Sequence, residues 1–512
     1  MNLDYWNQPL ILKAMRVKYR GGRLFTLASG YLMILLAGGM ALYYYRQAMG
    51  IRDWARVYFV AMISLQFAIS AMIALGATAS SMQAEVSSRT LDFQRIAALS
   101  PLQILVGKAV GEPASSYLLA LSTLPVAVLC AAMGSVPLDT LFFMYLTLAT
   151  STFMMASVGL QHSLDPNAKS TQAGGLAGAL FLITFIASSL PLRFGPKGGF
   201  YELIAAGVGL FTPILSLKGL VFDNSSIWSA KMPFFDWEIP YVLLTPLAQA
   251  GVAALAIGFM TRRLTQPLLT SASKLQGYVV LFGLDLVWAA FVYNAHALGS
   301  GLTAPAVRFA MGHTILALLF MGRMTPGRES FLSWAWRLRG RRSLLADMLI
   351  GERTLNFVAI LICSSIGLVV FLGAIAVPLA ILRPHLVSQT NWMAIALSAV
   401  LSSLVVVCYG LIYQCFCVAM NKGAGVLLFV CGLLFTLGPI AIGGGFEITV
   451  VTSLSPISTF IQLDEQQQAP YAPGPILIVH CLGIALWAWA LLRITTPLIR
   501  SVDRRLAQMG EK

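Results

Sequence analysis

The sequence predicts an all-α membrane protein with about twelve transmembrane helices, arranged as two parallel six-helix halves. Two observations predict the class: the 512-residue chain is 58% hydrophobic and only 11% charged, and its mean hydropathy is +0.79. Soluble globular domains carry about 25% charged residues, so this chain cannot cover a water-facing surface in the usual way. An internal repeat is the third observation, and it predicts the two halves. The composition excludes secreted disulfide scaffolds, nucleic-acid readers and free-standing cytosolic enzymes.

Twelve apolar segments supply the roughly 20 residues that a helix needs to cross the hydrocarbon core of a bilayer. They are predicted near 24–45, 57–79, 114–134, 139–160, 172–192, 240–260, 275–293, 304–322, 356–382, 391–415, 422–442 and 475–495. Residues 1–23 are predicted to form an amphipathic connecting helix. No clear small-residue cleavage site follows the first apolar run, so this run is interpreted as a retained span and not as a signal peptide.

The distribution of basic residues predicts the orientation of the chain. An even number of spans places both termini on one side, and 25 of the 34 Lys and Arg residues then lie on that side, against 8 on the other. By the positive-inside rule, both termini are expected in the cytoplasm of a multi-pass protein of the cell (inner) membrane. Arg46, Arg52 and Arg56 disagree locally with this bias. The net charge of +14 is attributed to topology and to lipid headgroups, and nucleic acid is not expected as a partner.

Landmarks of the first half recur in the second at offsets of 242 to 244 residues. The pairs are Glu85 with Glu329, 105–108 with 349–352, 212–214 with 455–457, and 262–264 with 504–506. A competing register matches 89–93 with 353–357 at an offset of 264, but an uninterrupted span follows only the second copy. The repeat predicts six-span halves at 24–265 and 266–512. Both halves begin and end on the same side, so they are expected to be parallel, with a path at their interface.

The connection between spans 2 and 3 is too polar to lie in lipid. In residues 82–101, Phe93, Ile96 and Ala97 share one helical face, which predicts a short amphipathic helix at the membrane interface. Ser100 is predicted as an N-cap, with Pro101 at the first helical position and a glutamine that completes a capping box. An ordinary interfacial loop is the alternative interpretation.

These residues resemble the permeases of type-2 ABC exporters. Glu85, Arg89-Thr90-Leu91-Asp92, Leu99-Ser100-Pro101-Leu102 and 105–108 look like the E…(R/G)TL(D/E)…(S/T)PLS…GK pattern of that family. The resemblance covers most of residues 7–265. It implies six-span units, a coupling helix that docks onto an ATPase, and helices on the outer side before the last span. The ATPase-coupling residues it implies in the first half are Glu85, Arg89, Thr90, Leu91, Asp92, Phe93, Ser100 and Pro101.

The second half departs from this pattern. Residues 324–353 hold an Arg- and Trp-rich stretch in which Thr325-Pro326 is predicted to start a helix, and Glu329 and Arg337 are the candidate coupling residues. This stretch either contacts the ATPase through different chemistry or only anchors in lipid. On the outer side, Thr212-Pro213 and Ser455-Pro456 each predict a short helix. The family resemblance makes these four residues candidates for an outer gate, and helices merely lying on the membrane are the alternative.

No G-x-x-x-x-G-K-[ST] phosphate-binding loop occurs in the sequence. The chain is therefore expected to be a transport subunit and not an enzyme, without a cofactor or metal of its own. ATP would be used by a separate ABC ATPase subunit, in two copies. Asp285, Arg308 and His313 are ionisable residues inside spans 7 and 8; Asp285 is expected to pair with Arg308, and a proton relay is the alternative.

Two other functions compete with the ATP-driven exporter. A twelve-span secondary transporter of the facilitator type is the runner-up, although its basic loop between spans 2 and 3 is absent. A membrane scaffold or a lipid-modifying enzyme ranks last, because the loops show no catalytic constellation. An amphipathic substrate is expected, and no residue identifies it.

Overall fold

The computed structural model describes most of the chain and contains the helices that the apolar segments predict. The described residues are 9–18, 22–46, 48, 50, 53–91, 99–163, 210–212, 217, 227–229, 231–266, 270–294, 301–337, 349–351, 354, 356–420, 454–464 and 474–510. Among them are ten helices long and apolar enough to cross a membrane, and each overlaps one predicted span. The predicted spans at 172–192 and 422–442 lie outside the described residues. The protein is an all-α, multi-pass membrane protein.

The chain divides into two compact units. The first unit comprises Met1–Phe194, Tyr201–Met232 and Glu238–Thr265, and the second comprises Gly195–Phe200, Pro233–Trp237 and Gln266–Lys512. The parallel orientation of two six-span halves stays a prediction.

Eight described helices belong to the first unit, and a two-stranded hairpin precedes the last of them along the sequence. The helices are α1 (Pro9–Lys18), α2 (Arg23–Tyr45), α3 (Trp54–Ser87), α4 (Pro101–Gly111), α5 (Ala114–Ser122), α6 (Leu124–Met133), α7 (Leu138–Ser163) and α8 (Tyr241–Thr265). The hairpin strands are β1 (Lys231–Phe234) and β2 (Trp237–Pro240).

The second unit is helical throughout its described part after residue 270. Its helices are α9 (Lys274–Val292), α10 (Thr303–Met324), α11 (Arg328–Arg337), α12 (Phe357–Val370), α13 (Val377–Leu382), α14 (His385–Ser388), α15 (Trp392–Ala419), α16 (Pro456–Asp464) and α17 (Gly474–Gly510). A π-helical segment, Phe371–Ala376, joins α12 to α13 within one span.

Helix α3 is the longest element of the first unit and organises its core. Its 34 residues reach about 50 Å at 1.5 Å per residue, more than the roughly 30 Å of a hydrocarbon core. Helix α3 packs against α7 so closely that a Cβ on Gly159 would lie 2.5 Å from the carbonyl oxygen of Leu75. One core cluster joins α3, α4, α7 and α8, and it includes Leu75, Leu105 and Met260. The C-terminal part of α3 therefore packs in one core with α4, α7 and α8.

The chain that leads into the third predicted span and forms it is divided into three short helices, α4, α5 and α6. Pro113 and Thr123 interrupt the path between α4, α5 and α6. Proline lacks a backbone N–H, and its ring clashes with the preceding turn, so it is tolerated at helix starts but not in helix interiors. The sequence Thr123-Leu124-Pro125 accordingly starts a new helix inside the span.

Helix α10 is the central helix of the second unit. Within its most apolar stretch 78% of the residues are buried, against 33% for the span Phe357–Leu382. It packs against α9, α12, α15 and α16. Arg308 and His313 on α10 are therefore held in protein and away from lipid.

Candidate functional site

The end of α3 in the first unit is fastened to α4 by an ion pair. Glu85 lies in the last turns of α3, and its carboxylate pairs with the ammonium group of Lys108 on α4, whose side chain is 3% exposed. One helical turn earlier, the Ser81 hydroxyl donates to a carboxylate oxygen of Glu112 at 2.7 Å. Because a buried charge without a partner is costly, these contacts fix the end of α3 to the last turn of α4.

The predicted amphipathic helix with Phe93, Ile96 and Ala97 lies outside the described residues, and the structure describes only the chain that leads to it. Residues 82–87 continue α3, and the chain then turns at Ser88 and Arg89, whose φ is +57°. A left-handed conformation is uncommon for a residue with a Cβ and marks a tight turn. Arg89 and Thr90 are exposed, and the Thr90 hydroxyl donates to the Glu85 carbonyl at 3.4 Å.

Leu91 turns back into the first unit. Its side chain is 4% exposed and belongs to the core cluster of α3, α4, α7 and α8. The exposed turn at Arg89 is thus held on one side by the Glu85 ion pair and on the other by a buried leucine. Asp92 and Phe93, two further candidate coupling residues, lie outside the described residues.

The predicted capping box at Ser100 is present. The Gln103 backbone N–H donates to the Ser100 hydroxyl at 3.2 Å, and the Ser100 N–H donates to the Gln103 side-chain oxygen at 2.9 Å. Pro101 is the first residue of α4. A second capping box, which the sequence analysis missed, starts α9: Ser273 and Gln276 exchange the same two hydrogen bonds, at 3.0 and 3.1 Å. The signal for it is the Ser-x-x-Gln spacing at 273–276.

The corresponding stretch of the second unit is built differently, and the predicted helix start at Thr325-Pro326 is wrong. Helix α10 runs to Met324, and Thr325 caps its end: its N–H and its hydroxyl both donate to the Met321 carbonyl, at 3.0 and 2.7 Å. Pro326 disfavours a helical conformation in the residue before it, and Thr325 has a ψ of 121°. The next helix, α11, begins at Arg328.

Helix α11 carries both candidate coupling residues of the second unit. Glu329 is exposed in its first turn, and Arg337 is its last residue. Phe331 is fully buried, with its ring centroid 5.8 Å from that of the half-buried Trp334. The helix is therefore anchored by aromatic side chains and leaves its acidic residue free to face its surroundings.

The outer-gate candidates lie in two places. Thr212 is buried, and Pro213 lies outside the described residues. Ser455 is buried directly before Pro456, the first residue of α16, and the Thr459 N–H donates to the Ser455 carbonyl at 3.1 Å. The short helix predicted at Ser455-Pro456 is thus present.

Helix α16 is fastened to α10 by a buried, bidentate ion pair. Arg308 donates through Nε to Oδ1 of Asp464 at 2.8 Å and through Nη2 to Oδ2 at 3.0 Å. Both side chains are less than 10% exposed. Asp464 lies outside the candidate spans; burial raises its pKa, and the guanidinium of Arg308 opposes that rise. Fork-to-fork pairs of this kind are geometrically specific.

The expected pairing of Asp285 with Arg308 is therefore wrong. Asp285 on α9 pairs instead with His313 on α10, with Oδ2 2.8 Å from Nδ1. Arg308 and His313 are five positions apart, hence about 140° apart around the helix axis. Only one of them can face α9, and the other faces α16.

No group of three or more His, Cys, Asp or Glu side chains that could hold a metal ion occurs among the described residues. Two arrangements are present in the described residues. The exposed turn at Ser88–Thr90 lies next to the core cluster of α3, α4, α7 and α8, and helix α16 is paired with the central helix α10. Comparisons with protein-family models, with curated proteins and with solved structures found no match for this chain.

Proposed function

We propose that this protein is the transmembrane permease subunit of an ATP-driven type-2 ABC exporter, moving an amphipathic substrate outward. Hydrolysis of ATP belongs to a separate ABC ATPase, in two copies, and this chain supplies the membrane path. The observation that carries the proposal is the exposed turn at Ser88–Thr90, held between the Glu85–Lys108 ion pair and the buried Leu91. The order of residues in the E…RTLD…SPL pattern supports it.

This turn is suited to receive a push from a partner. Arg89 and Thr90 are exposed, whereas Leu91 after them belongs to the core cluster and Glu85 before them is paired with the buried Lys108. A force on the turn is transmitted to α3 through its own helix and to α4 through Lys108. Because α3, α4, α7 and α8 share one core, the bundle responds as a unit and not as a loop that bends locally.

On the opposite side of the proposed path, helix α16 serves as an outer gate in this proposal. It is a short helix that directly precedes the long final helix, α17, in the described order, and Arg308 fixes its end to α10. A gate must be held until a conformational change releases it, and a bidentate ion pair has the required specificity.

The second candidate function is a secondary transporter of the facilitator type, and one observation favours it. The Asp285–His313 pair is a buried titratable group at membrane depth, and proton-coupled carriers use such groups. Transport that stops with an uncoupler and ignores depletion of ATP would identify this alternative.

The test is coupled ATP hydrolysis by the complex of this chain with its ATPase. Glu85→Gln and Leu91→Ala are each expected to lower coupled hydrolysis and transport at least tenfold while the chain still reaches the membrane. Ser80→Ala is the matched control on α3, since Ser80 is exposed and its hydroxyl contacts only its own helix. Purification without any ATP-binding chain, together with unchanged transport in both variants, would contradict the proposal.

The proposed orientation, with both termini in the cytoplasm of the inner membrane, has its own test. A single cysteine introduced at exposed Arg89 in an otherwise cysteine-free chain is expected to react with a membrane-impermeant thiol reagent only after the cells are opened. A cysteine at exposed Glu238 is expected to react in intact cells.

A further inference from the structure

The second unit contains a buried pair of titratable side chains that the proposed exporter mechanism does not use. Asp285 and His313 lie on α9 and α10, within two candidate spans, and their side chains are 0% and 5% exposed. The pair is independent of the residues that carry the proposed function.

Each partner has a second polar atom that is buried without a hydrogen bond. Among the described residues, Oδ1 of Asp285 and Nε2 of His313 have no hydrogen-bond partner. Native interiors satisfy most buried polar atoms, so an unsatisfied pair of them calls for an explanation. A purely structural ion pair at this depth would be expected to use these atoms, since a buried polar atom left without a hydrogen bond is destabilising.

The surroundings hold the imidazole in place on two sides. The ring of Phe309 stacks on it at a centroid distance of 6.2 Å. Gly367 on α12 lies at its edge, where a Cβ would come within 2.5 Å of Nε2. Four residues later the helix changes to its π-helical segment, beginning at Phe371, and such segments are frequent at functional sites.

Among the described residues around the pair, a proton is the counter-charge available to Asp285. Arg308, the other charged residue at membrane depth on α10, is committed to Asp464. From α12 the neighbouring titratable group is the buried thiol of Cys363, and from α15 they are Cys408 and Tyr409; on α16 Asp464 is held by Arg308. The segment Phe371–Ala376 contains no titratable residue. In the described residues His313 is therefore the basic group that contacts Asp285.

Counting protons shows what the pair can do. With one shared proton the pair is neutral overall, whether it is a carboxylate with an imidazolium or a carboxylic acid with a neutral imidazole. Without that proton it carries a charge of −1 at membrane depth, which costs several kcal/mol unless water or a cation enters.

We propose that Asp285 and His313 form an intramembrane proton-binding site, which takes up one proton when α9, α10 and α12 close around it and releases that proton on hydration. The ligand is the proton itself. The site makes the conformational equilibrium of the second unit dependent on pH, whatever the energy source of transport.

The experiment is infrared difference spectroscopy of the full chain in lipid nanodiscs, between about pH 5 and pH 8, where histidine ordinarily titrates. In the wild type, carboxyl and imidazole bands are expected to change together with one midpoint. Asp285→Asn and His313→Gln are each expected to remove both sets of bands, because the two groups share the proton. His480→Gln is the control: His480 is buried but bonds only a backbone carbonyl, of Ile476 at 2.9 Å, so the bands should stay.

Two results overturn the proposal. Either the wild-type and both variant spectra superpose across the range, so that the pair never exchanges a proton, or each variant removes only its own bands. The wild type labelled with ¹⁵N-histidine decides the question if the variants do not fold: one imidazole must titrate with the carboxyl band. Gly367→Ala keeps both groups and is expected to shift their midpoint, and an unchanged midpoint contradicts the placement of the titrating ring at Gly367.

Discussion

In the described residues, the two units place their buried ion pairs at different positions along their helices. In the first unit the described ion pair of a buried residue, Glu85 with Lys108, lies at the end of the long helix α3, next to the exposed turn. In the second unit Asp285–His313 and Arg308–Asp464 both involve the central helix α10. A charged side chain in a bilayer is energetically unfavourable, so those that occur there are often functional. In the proposed function, the first unit makes the coupling contact, and the second unit holds the gate and the proposed proton site.

The repeated positions of the sequence do not carry the same charges in the two halves. At the offset of 244 residues, Glu85 corresponds to Glu329 and Lys108 corresponds to Glu352. The second copy thus has two acids where the first has an ion pair, and Glu329 is exposed on a different helix, α11. For the proposed exporter, we expect the two copies to contact the ATPase unequally, the first copy making the stronger contact.

The largest expected effect comes from removing the charge that holds α16. Arg308→Ala leaves the carboxylate of Asp464 buried without its partner, and we expect a loss of about 3–5 kcal/mol in stability, measured by thermal unfolding in detergent. Arg383→Ala is the matched control, because its pair with Asp236, at 3.3 Å, is exposed and should be worth less than about 1 kcal/mol. Equal losses in the two variants would contradict the assignment of a buried latch.

The same variant has a pH dependence whose sign is fixed. Burial already raises the pKa of Asp464, and without Arg308 that rise is unopposed. A carboxyl with a raised pKa in the folded state binds more protons folded than unfolded, so stability falls as pH rises from the unfolded value of about 3.9 to the folded pKa. The deficit of Arg308→Ala should therefore be smallest in acid. Adding Asp464→Asn should abolish this dependence; its persistence would place the titrating group elsewhere.

A smaller effect is expected at the coupling end of the first unit. Glu85→Gln removes the charge partner of the buried Lys108, and we expect a loss of about 1–3 kcal/mol in the same unfolding assay. Lys231→Ala, which breaks the exposed pair with Glu238, is the control and should cost less than about 1 kcal/mol. If Glu85→Gln unfolds with the same stability as the wild type, the ion pair does not fasten α3 to α4.

The smallest loss of stability is expected from removing a capping box, a feature that both units contain. Ser100→Ala and Ser273→Ala each remove one capping box, so each should cost about 1 kcal/mol. Ser87→Ala should change stability by less than about 0.5 kcal/mol, since Ser87 is exposed and bonds only to Ala84 one turn earlier. A marked difference between the two cap variants would show that the membrane entry of one unit depends on more than its cap.

The local features of this structure could be predicted from the sequence, and the long-range pairings could not. Ten apolar segments coincide with helices because length and hydropathy alone decide whether a segment can span. The capping box at Ser100 is a four-residue pattern, so it too could be identified. The partner of Arg308 is Asp464, 156 residues away on a short helix, and only tertiary packing brings them together.

The errors have equally specific causes. Thr325-Pro326 has the composition of a helix start, but the threonine instead ends α10, since its hydroxyl reaches back to the carbonyl of Met321. Residues 82–87 look like a polar loop, yet they extend α3 because the helix is long enough to project beyond the hydrocarbon core. In both cases a neighbouring helix continued further than its apolar stretch.

The most direct test of the central claim is photo-cross-linking from the exposed turn of the first unit in cells that express the whole transport system. A photoreactive residue at Arg89 is expected to link this chain to an ATP-binding subunit, with a yield that changes when nucleotide is trapped. The same residue at Glu329 should link less efficiently, and at exposed Glu238 it should not link at all. Equal yields from Arg89 and Glu238, or no ATP-binding chain among the products from Arg89, would contradict the account.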